Sequence, residues 1–473
     1  MAEIHVRQGA AGAGGSVPTL AAAGALVKAG DTVVIHEGVY AALAAPVDTH
    51  WKASEGEAVT IDGGWKGKRM ADDSGPPAVS LKAGATLEGV TIRNSLGSGV
   101  VLNDNAALIN CRVERSYGNG VTLWKVKAAR VEKCVISEAC IRFTVGGHQG
   151  GASVAIVDSE DCVVTGNTIC YGYGEGVDVG RGSKRIRVWG NIIFDHQHVH
   201  LYFVRSQESV AEGNIVFHTG HERFLTRNGR VPGGIVFGDE NTEKMRTFPP
   251  MRANVVRGNL VVNMGGCLAA RNNDPDTHKD DSPYDTSLDA DTVIEGNTFV
   301  AGPMTDDAVL IVPNYQGRPH GPARFRRNVV IGPATAPTAF RYEANAWQPL
   351  PAASLRSGSD VAAELVNAAA SGKLANQYPA VGHNLSLDDY RPRPGSVIAL
   401  GNIGALGPEG PEPPVEPPPP PPPDPEPEPL DRAALLERVA AAAEQLAVIH
   451  MATEAAIDEV AALLGMLAEE PAA

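Results

Sequence analysis

The chain has 473 residues, 43% of them hydrophobic, which is enough to bury a large core and excludes a disordered protein. No apolar run reaches the roughly eighteen residues that a membrane-spanning helix needs. Of the net charge of −15, the 14 acids and two bases (Arg432, Arg438) from Glu409 onward supply −12, so the first 408 residues are close to neutral and lack the basic surplus of a nucleic-acid binder.

The first residues, MAEIHVRQGA, carry no basic stretch followed by an apolar one, so no cleaved secretory signal is expected. An intracellular chain, or a virion or extracellular protein released without such a signal, fits this start. Residues 17–29 (VPTLAAAGALVKA) read as a short amphipathic helix, and GDTVVIHEGVY after them as strand.

From about residue 86 the chain repeats itself. The segments TGNTI, WGNII, EGNIV, RGNLV, EGNTF and RRNVV place Asn at 167, 191, 214, 259, 297 and 328. The spacings of 24 and 23 are single turns of a solenoid, and those of 45, 38 and 31 carry insertions. LEGVTI, INCRV and EKCVI extend the series upstream, with Gly89, Asn110 and Lys133 at the Asn position. A second strand recurs between them as GVVL, GVTL, SVAI, GVDV, HLYF, GIVF and AVLI, short and alternating in and out. Short strands in stacked coils of about 23 residues predict an all-β right-handed parallel β-helix through residue 407, each coil burying its inner face against its neighbours. A leucine-rich repeat would need a Leu spacing that is missing. The recurring Asn is expected to form an internal hydrogen-bonded ladder, and Cys111 and Cys134, 23 residues apart, to stack as reduced core thiols.

Stacked coils turn residues one repeat apart into surface neighbours about 4.8 Å apart. Aligning GVDV, HLYF and GIVF sets Asp178 beside Tyr202, both outward, and stacks Asp158, Arg181, Arg205 and Asp239 just beyond. The preceding loops add Tyr171, Tyr173, Glu175, His196, His198, His200, His218 and His221. For β-elimination on a uronic-acid polymer, Arg181 and Arg205 would neutralise the substrate carboxylate while Tyr202 or His200 takes a proton. For glycoside hydrolysis, Glu175 and Asp178 are the candidate carboxylates. Asp178, Tyr202 and Arg205 are therefore the expected catalytic residues. Tyr171, Tyr173, Glu175, Arg181, His198, His200 and Asp239 would contact the sugar. The bland alternative is a surface ladder in which the acids and arginines pair with one another.

HQHVH at 196–200 would put alternate His on one strand face, a pattern that can ligate a transition metal but more often is a polar surface. Residues 272–285 (NNDPDTHKDDSPYD) hold oxygen donors of the kind Ca²⁺ uses, without EF-hand order, and read as a solvated loop. No cofactor is expected.

The helix and strand at 17–40, together with LDDYRPRPGSVIALGNIGAL at 387–406, resemble the N-terminal cap and closing coil of pectin-lyase-like β-helix proteins. That family includes polysaccharide lyases of the alginate and chondroitin type. The resemblance implies a fold over residues 3–407, and a glycan as the partner, but it hosts lyases, hydrolases, epimerases and non-catalytic spikes alike.

Between residues 411 and 429, 13 of 19 residues are Pro, a stiff polyproline II spacer. Residues 430–473 read as a helix with a heptad seam at Leu435, Val439, Ala442, Leu446, Ile449, Thr453, Ala456, Val460, Leu463 and Leu467. A widened seam (Ile457, Leu464, Met466) favours a trimer, or docking to a virion component. The layout is thus a β-helix at 1–407, a linker at 408–429 and a coiled coil at 430–473. This combination resembles phage tail spikes and fibres, and a free polysaccharide lyase, hydrolase or epimerase is the alternative.

Overall fold

The computed structural model describes residues 2–9, 16–68, 75–145, 150–238, 248–271, 288–305, 309–311, 322–333, 340–348, 358–360, 365, 368–393 and 404–405. The proline-rich linker, the heptad helix and the acidic stretch at 272–285 lie outside them. Among the described residues the strands form three parallel sheets of 14, 13 and 10 strands, here sheets A, B and C. One coil is Arg187–Trp189 in sheet A, Ile192–His196 in sheet B and Leu201–Val204 in sheet C. The expected β-helix is present.

The N-terminal helix α1 (Leu20–Leu26) is shorter than the sequence pattern. Thr19 caps it, its hydroxyl accepting from the Ala22 N–H at 3.1 Å, and Leu20 and Ala23 are buried.

Between sheets A and B the chain turns on a Gly–Asn pair. Gly166, Gly190, Gly213, Gly258 and Gly296 hold φ of +61 to +63°, a left-handed conformation that suits glycine. The Asn that follows points inward. Asn167 Nδ2 donates to Asn191 Oδ1 at 2.9 Å, and the pattern continues through Asn214, Asn259, Asn297 and Asn328. It ends on Asn345, 17 residues after Asn328 and outside the repeat segments read from the sequence.

Upstream the sequence alignment is one residue out. Asn110 and Lys133 take the left-handed glycine position, with φ of 50° and 53°. The ladder position belongs to Cys111 and Cys134. The Cys134 N–H donates to Asn167 Oδ1 at 2.8 Å, and the Cys111 N–H reaches Cys134 Sγ at 3.5 Å. A thiol fills the place of an amide because the inward side chain needs only one acceptor there. All six cysteines are free and buried.

The sheet C register also differs at one end. Leu310 pairs with Leu268, so AVLI is shifted by one, and the strand Leu268–Arg271 lies before it. Its Ala-Ala centre lacks the β-branched signal of the other coils.

Of the segment 387–406 expected as a closing coil, residues 394–403 and 406 lie outside the described residues. Leu387–Tyr390 is a 3-10 helix within a strap at 368–393 that packs on the outside of sheet B. The cause is the outer face itself: Phe194 and Phe217 stack there at 4.9 Å, and His383 of the strap meets both rings edge-on. An aromatic row of this kind needs a cover.

Candidate functional site

With the strap on sheet B, the outer face of sheet C carries Asp178 and Tyr202 of the residues singled out for chemistry. Strand Glu175–Gly180 alternates as predicted: Val177 and Val179 are fully buried, and Asp178 is half-exposed. Asp178 sits opposite Ala155 on one side and Tyr202 on the other. Gly180 makes room for its carboxylate, since a Cβ there would come within 2.8 Å of Asp178 Oδ1. Glu175, at the start of the same strand, is also half-exposed. Glu175 and Arg142 act in opposite directions on Cys140, whose thiol burial pushes up to about 12.

The expected charge column exists as a column of left-handed residues just past the sheet C strands: Lys125, Asp158, Arg181 and Arg205, with φ of 51–56°. Arg181 donates its backbone N–H to Val204 O at 2.6 Å and its side chain is exposed. Asp158 lies 4.0 Å from Lys125 of the preceding coil. Asp239 lies outside the described residues.

Several residues expected on the surface are not there. Arg205 is fully buried. Residues 248–252 close over this turn, Gln207 Nε2 donating to Pro250 O at 2.8 Å while Phe248 packs at Gly182. Tyr202 is 4% exposed, in an outer apolar cluster with Val199, Val204, Val236 and Ala269. Its ring lies over Gly238, where a Cβ would collide with the phenol. The outward positions that follow it in the ladder, Val236 and Ala269, are fully buried as well, so this part of the outer face does not reach solvent.

Tyr171 and Tyr173 are buried rather than open platforms. Tyr171 stacks on Phe224, with its hydroxyl 2.9 Å from Gly382 O and 3.1 Å from Ala380 O, and burial pushes it up to about 12. Tyr173 accepts from Arg223 Nε at 2.6 Å.

HQHVH does not lie on one strand. His196 ends the sheet B strand, His198 lies in the turn against Phe143, and His200 precedes the sheet C strand. His200 occupies an inward corner that is Gly176 in the preceding coil and Gly234 in the following one. Its Nε2 accepts from the His196 N–H at 3.3 Å. His196, His200 and His218 are all fully buried, and burial lowers each, His196 to about 3. Beside them the buried Asp195 carboxylate accepts from the Thr219 N–H and hydroxyl, both at 2.8 Å, and from Asn376 Nδ2 of the strap. Among the described residues no group of three or more His, Cys, Asp or Glu is arranged to hold a metal ion.

Sequence reasoning missed Trp124. It lies on the outer face of sheet C and is 64% exposed. On the same strand, Thr122 Oγ1 accepts from Asn119 Nδ2 at 3.0 Å and meets Ser98 Oγ at 2.9 Å. The register carries Trp124 to Val157 and Gly180, and Thr122 to Ala155 and Asp178. The signal was available: Trp124 and Thr122 stand two apart, as Gly180 and Asp178 do.

Residues 77–278 match the family described as right handed beta helix region. The crystal structure of pectate lyase Pel9A is similar with a TM-score of 0.53 at 11% identity, over 84% of this chain and 90% of that one. Polygalacturonase from Erwinia carotovora ssp. carotovora gives 0.46 at 10%, over 76% and 97%. The Streptococcus pneumoniae surface protein and adhesin PfbA gives 0.42 at 10%, over 69% and 87%. No curated protein matches the chain in sequence. With its three parallel sheets and continuous Asn ladder, the chain has a right-handed parallel β-helix of pectin-lyase-like fold.

Proposed function

We propose that this chain recognises a polysaccharide laid across the outer face of sheet C, as a surface protein of the tail-spike or tail-fibre type. The observation that carries the reading is the half-exposed Asp178, held on a parallel ladder with Ala155 beside it and room made by Gly180. Thr122 and Asp178 put polar side chains on the outer face of sheet C two coils apart, with only Ala155 between them, and coil steps of about 4.8 Å suit a chain of hydroxyl-bearing rings laid along that row. The similarity in fold to a pectate lyase supports a glycan as partner. The heptad seam at 435–467 supports a trimeric, virion-borne or extracellular form.

A second reading, cleavage, is favoured by one feature: Glu175 and Asp178 both reach solvent from one strand. They would act as the acid and base pair of a glycoside hydrolase. Elimination through Tyr202 or His200 is less favoured, since both are buried.

Incubating the full chain with a panel of bacterial surface polysaccharides tests both readings. Retention by at least one member, weakened in Asp178→Asn, is expected. New reducing ends would add hydrolysis, and an ultraviolet-absorbing unsaturated product would add elimination. Absence of retention across acidic and neutral members would overturn the proposal. Light scattering on the full chain should give a trimer, and a monomer would remove the spike-like form.

A further inference from the structure

We infer that Trp124 is the floor of a subsite for an uncharged pyranose ring, two coils from Asp178 on the same face. This rests on the glycan reading above and specifies the sugar that the reading leaves open.

A lone exposed leucine would need no explanation. Trp is different, because it is the largest apolar side chain and leaving it in water forgoes more burial than any other residue would. In this chain Trp51, Trp65 and Trp347 are buried and Trp189 is half-buried, while Trp124 stays 64% exposed. On the side of the following coils, the next two ladder positions are the small Val157 and Gly180.

The edges of the indole are polar and already ordered. Toward the strand start, Thr122 is pinned between Asn119 and Ser98. Toward the strand end, Lys125 and Asp158 face each other at 4.0 Å, a loose pair in which the ammonium is largely in solvent and the carboxylate is half-buried. An ammonium and a carboxylate side by side suit adjacent sugar hydroxyls, one accepting and one donating, while the C–H face of the ring covers the indole. The pair has no net charge. Arg181 follows Asp158 in the column and Asp178 lies on the strand just before Arg181, so the charges along this edge also balance, and an uncharged hexose is the class that fits.

The test uses the full chain and a panel of neutral polysaccharides (dextran, mannan, galactan), with polygalacturonate and alginate as acidic members. Affinity electrophoresis reads retention at low and at high salt. The expected result is retention by a neutral member that falls roughly tenfold in Trp124→Ala, is partly restored in Trp124→Phe, and changes little with salt, as stacking should. Quenching of indole fluorescence by the same glycan, lost in Trp124→Phe, would support the same contact. Retention by a glycan with Trp124→Ala equal to the parent chain would overturn the subsite and leave the broader glycan reading standing. So would binding confined to the acidic members and abolished by salt. If no member is retained, both fall together.

Discussion

Asn191 donates its side-chain amide to Asn214 Oδ1 at 2.9 Å and to Val164 O at 2.9 Å, while its own Oδ1 receives the Asn167 backbone and side-chain N–H groups at 3.0 and 2.9 Å. One buried side chain thus ties three coils. Asn191→Ala strands partners on both sides, each worth about 1–3 kcal/mol when left unpaired in a buried site. Loss of about 3 kcal/mol or more in denaturant-induced unfolding is expected. A variant as stable as the parent would mean the ladder is not what holds these coils.

The strap at 368–393 should open separately from the coils beneath it. Its backbone leans on one hydroxyl, that of Tyr171, between Ala380 O and Gly382 O. Tyr171→Phe keeps the ring stacked on Phe224 and removes that hydroxyl, a loss of about 1–2 kcal/mol. Hydrogen exchange should accelerate over 376–390 and stay unchanged at the Asn ladder. Equal acceleration in both would show that strap and coils unfold as one unit.

Acid should weaken the fold through the buried imidazoles. His196 is held neutral, its protonation lowered from 6.5 to about 3 by burial and by the neighbouring His218. The unfolded chain binds a proton on this ring below about pH 6.5, whereas the folded chain does not until about pH 3. Stability is therefore full above pH 6.5 and falls as pH drops through that window, by up to about 1.4 kcal/mol per pH unit for this group alone. The unfolding midpoint in urea, followed from neutral to acidic pH, reads it. His196→Gln should flatten the dependence, and an unchanged slope in that variant would assign the acid sensitivity to other groups.

Much of the fold was legible because the solenoid repeats one decision many times. The Gly–Asn turn declares itself at Asn167, Asn191 and Asn214, where a left-handed residue and an inward amide are both required. It became ambiguous at Asn110, since Asn tolerates the left-handed position as well as the ladder position, and only the register separates the two roles. Inward and outward were readable within a strand, as at Val177, Asp178 and Val179. Whether an outward residue reaches water was not, because covers come from distant sequence: residue 378 onto Tyr171, and Pro250 onto the turn that hides Arg205. Asp178 and Arg181 stayed in reach of solvent, while Tyr202, Tyr171, Tyr173, His200 and Arg205 did not. Trp124 was legible in principle, since the alternation that turns Thr122 outward turns it outward too.

The central claim is that a glycan lies on the outer face of sheet C. Hydrogen exchange of the full chain, with and without a polysaccharide it retains, tests this most directly. The account predicts slowed exchange over 119–125, 152–158 and 175–181, the strands that carry Trp124 and Asp178. Slowing confined to the strap at 368–393 or to the sheet A face, with those three strands unchanged, would contradict it.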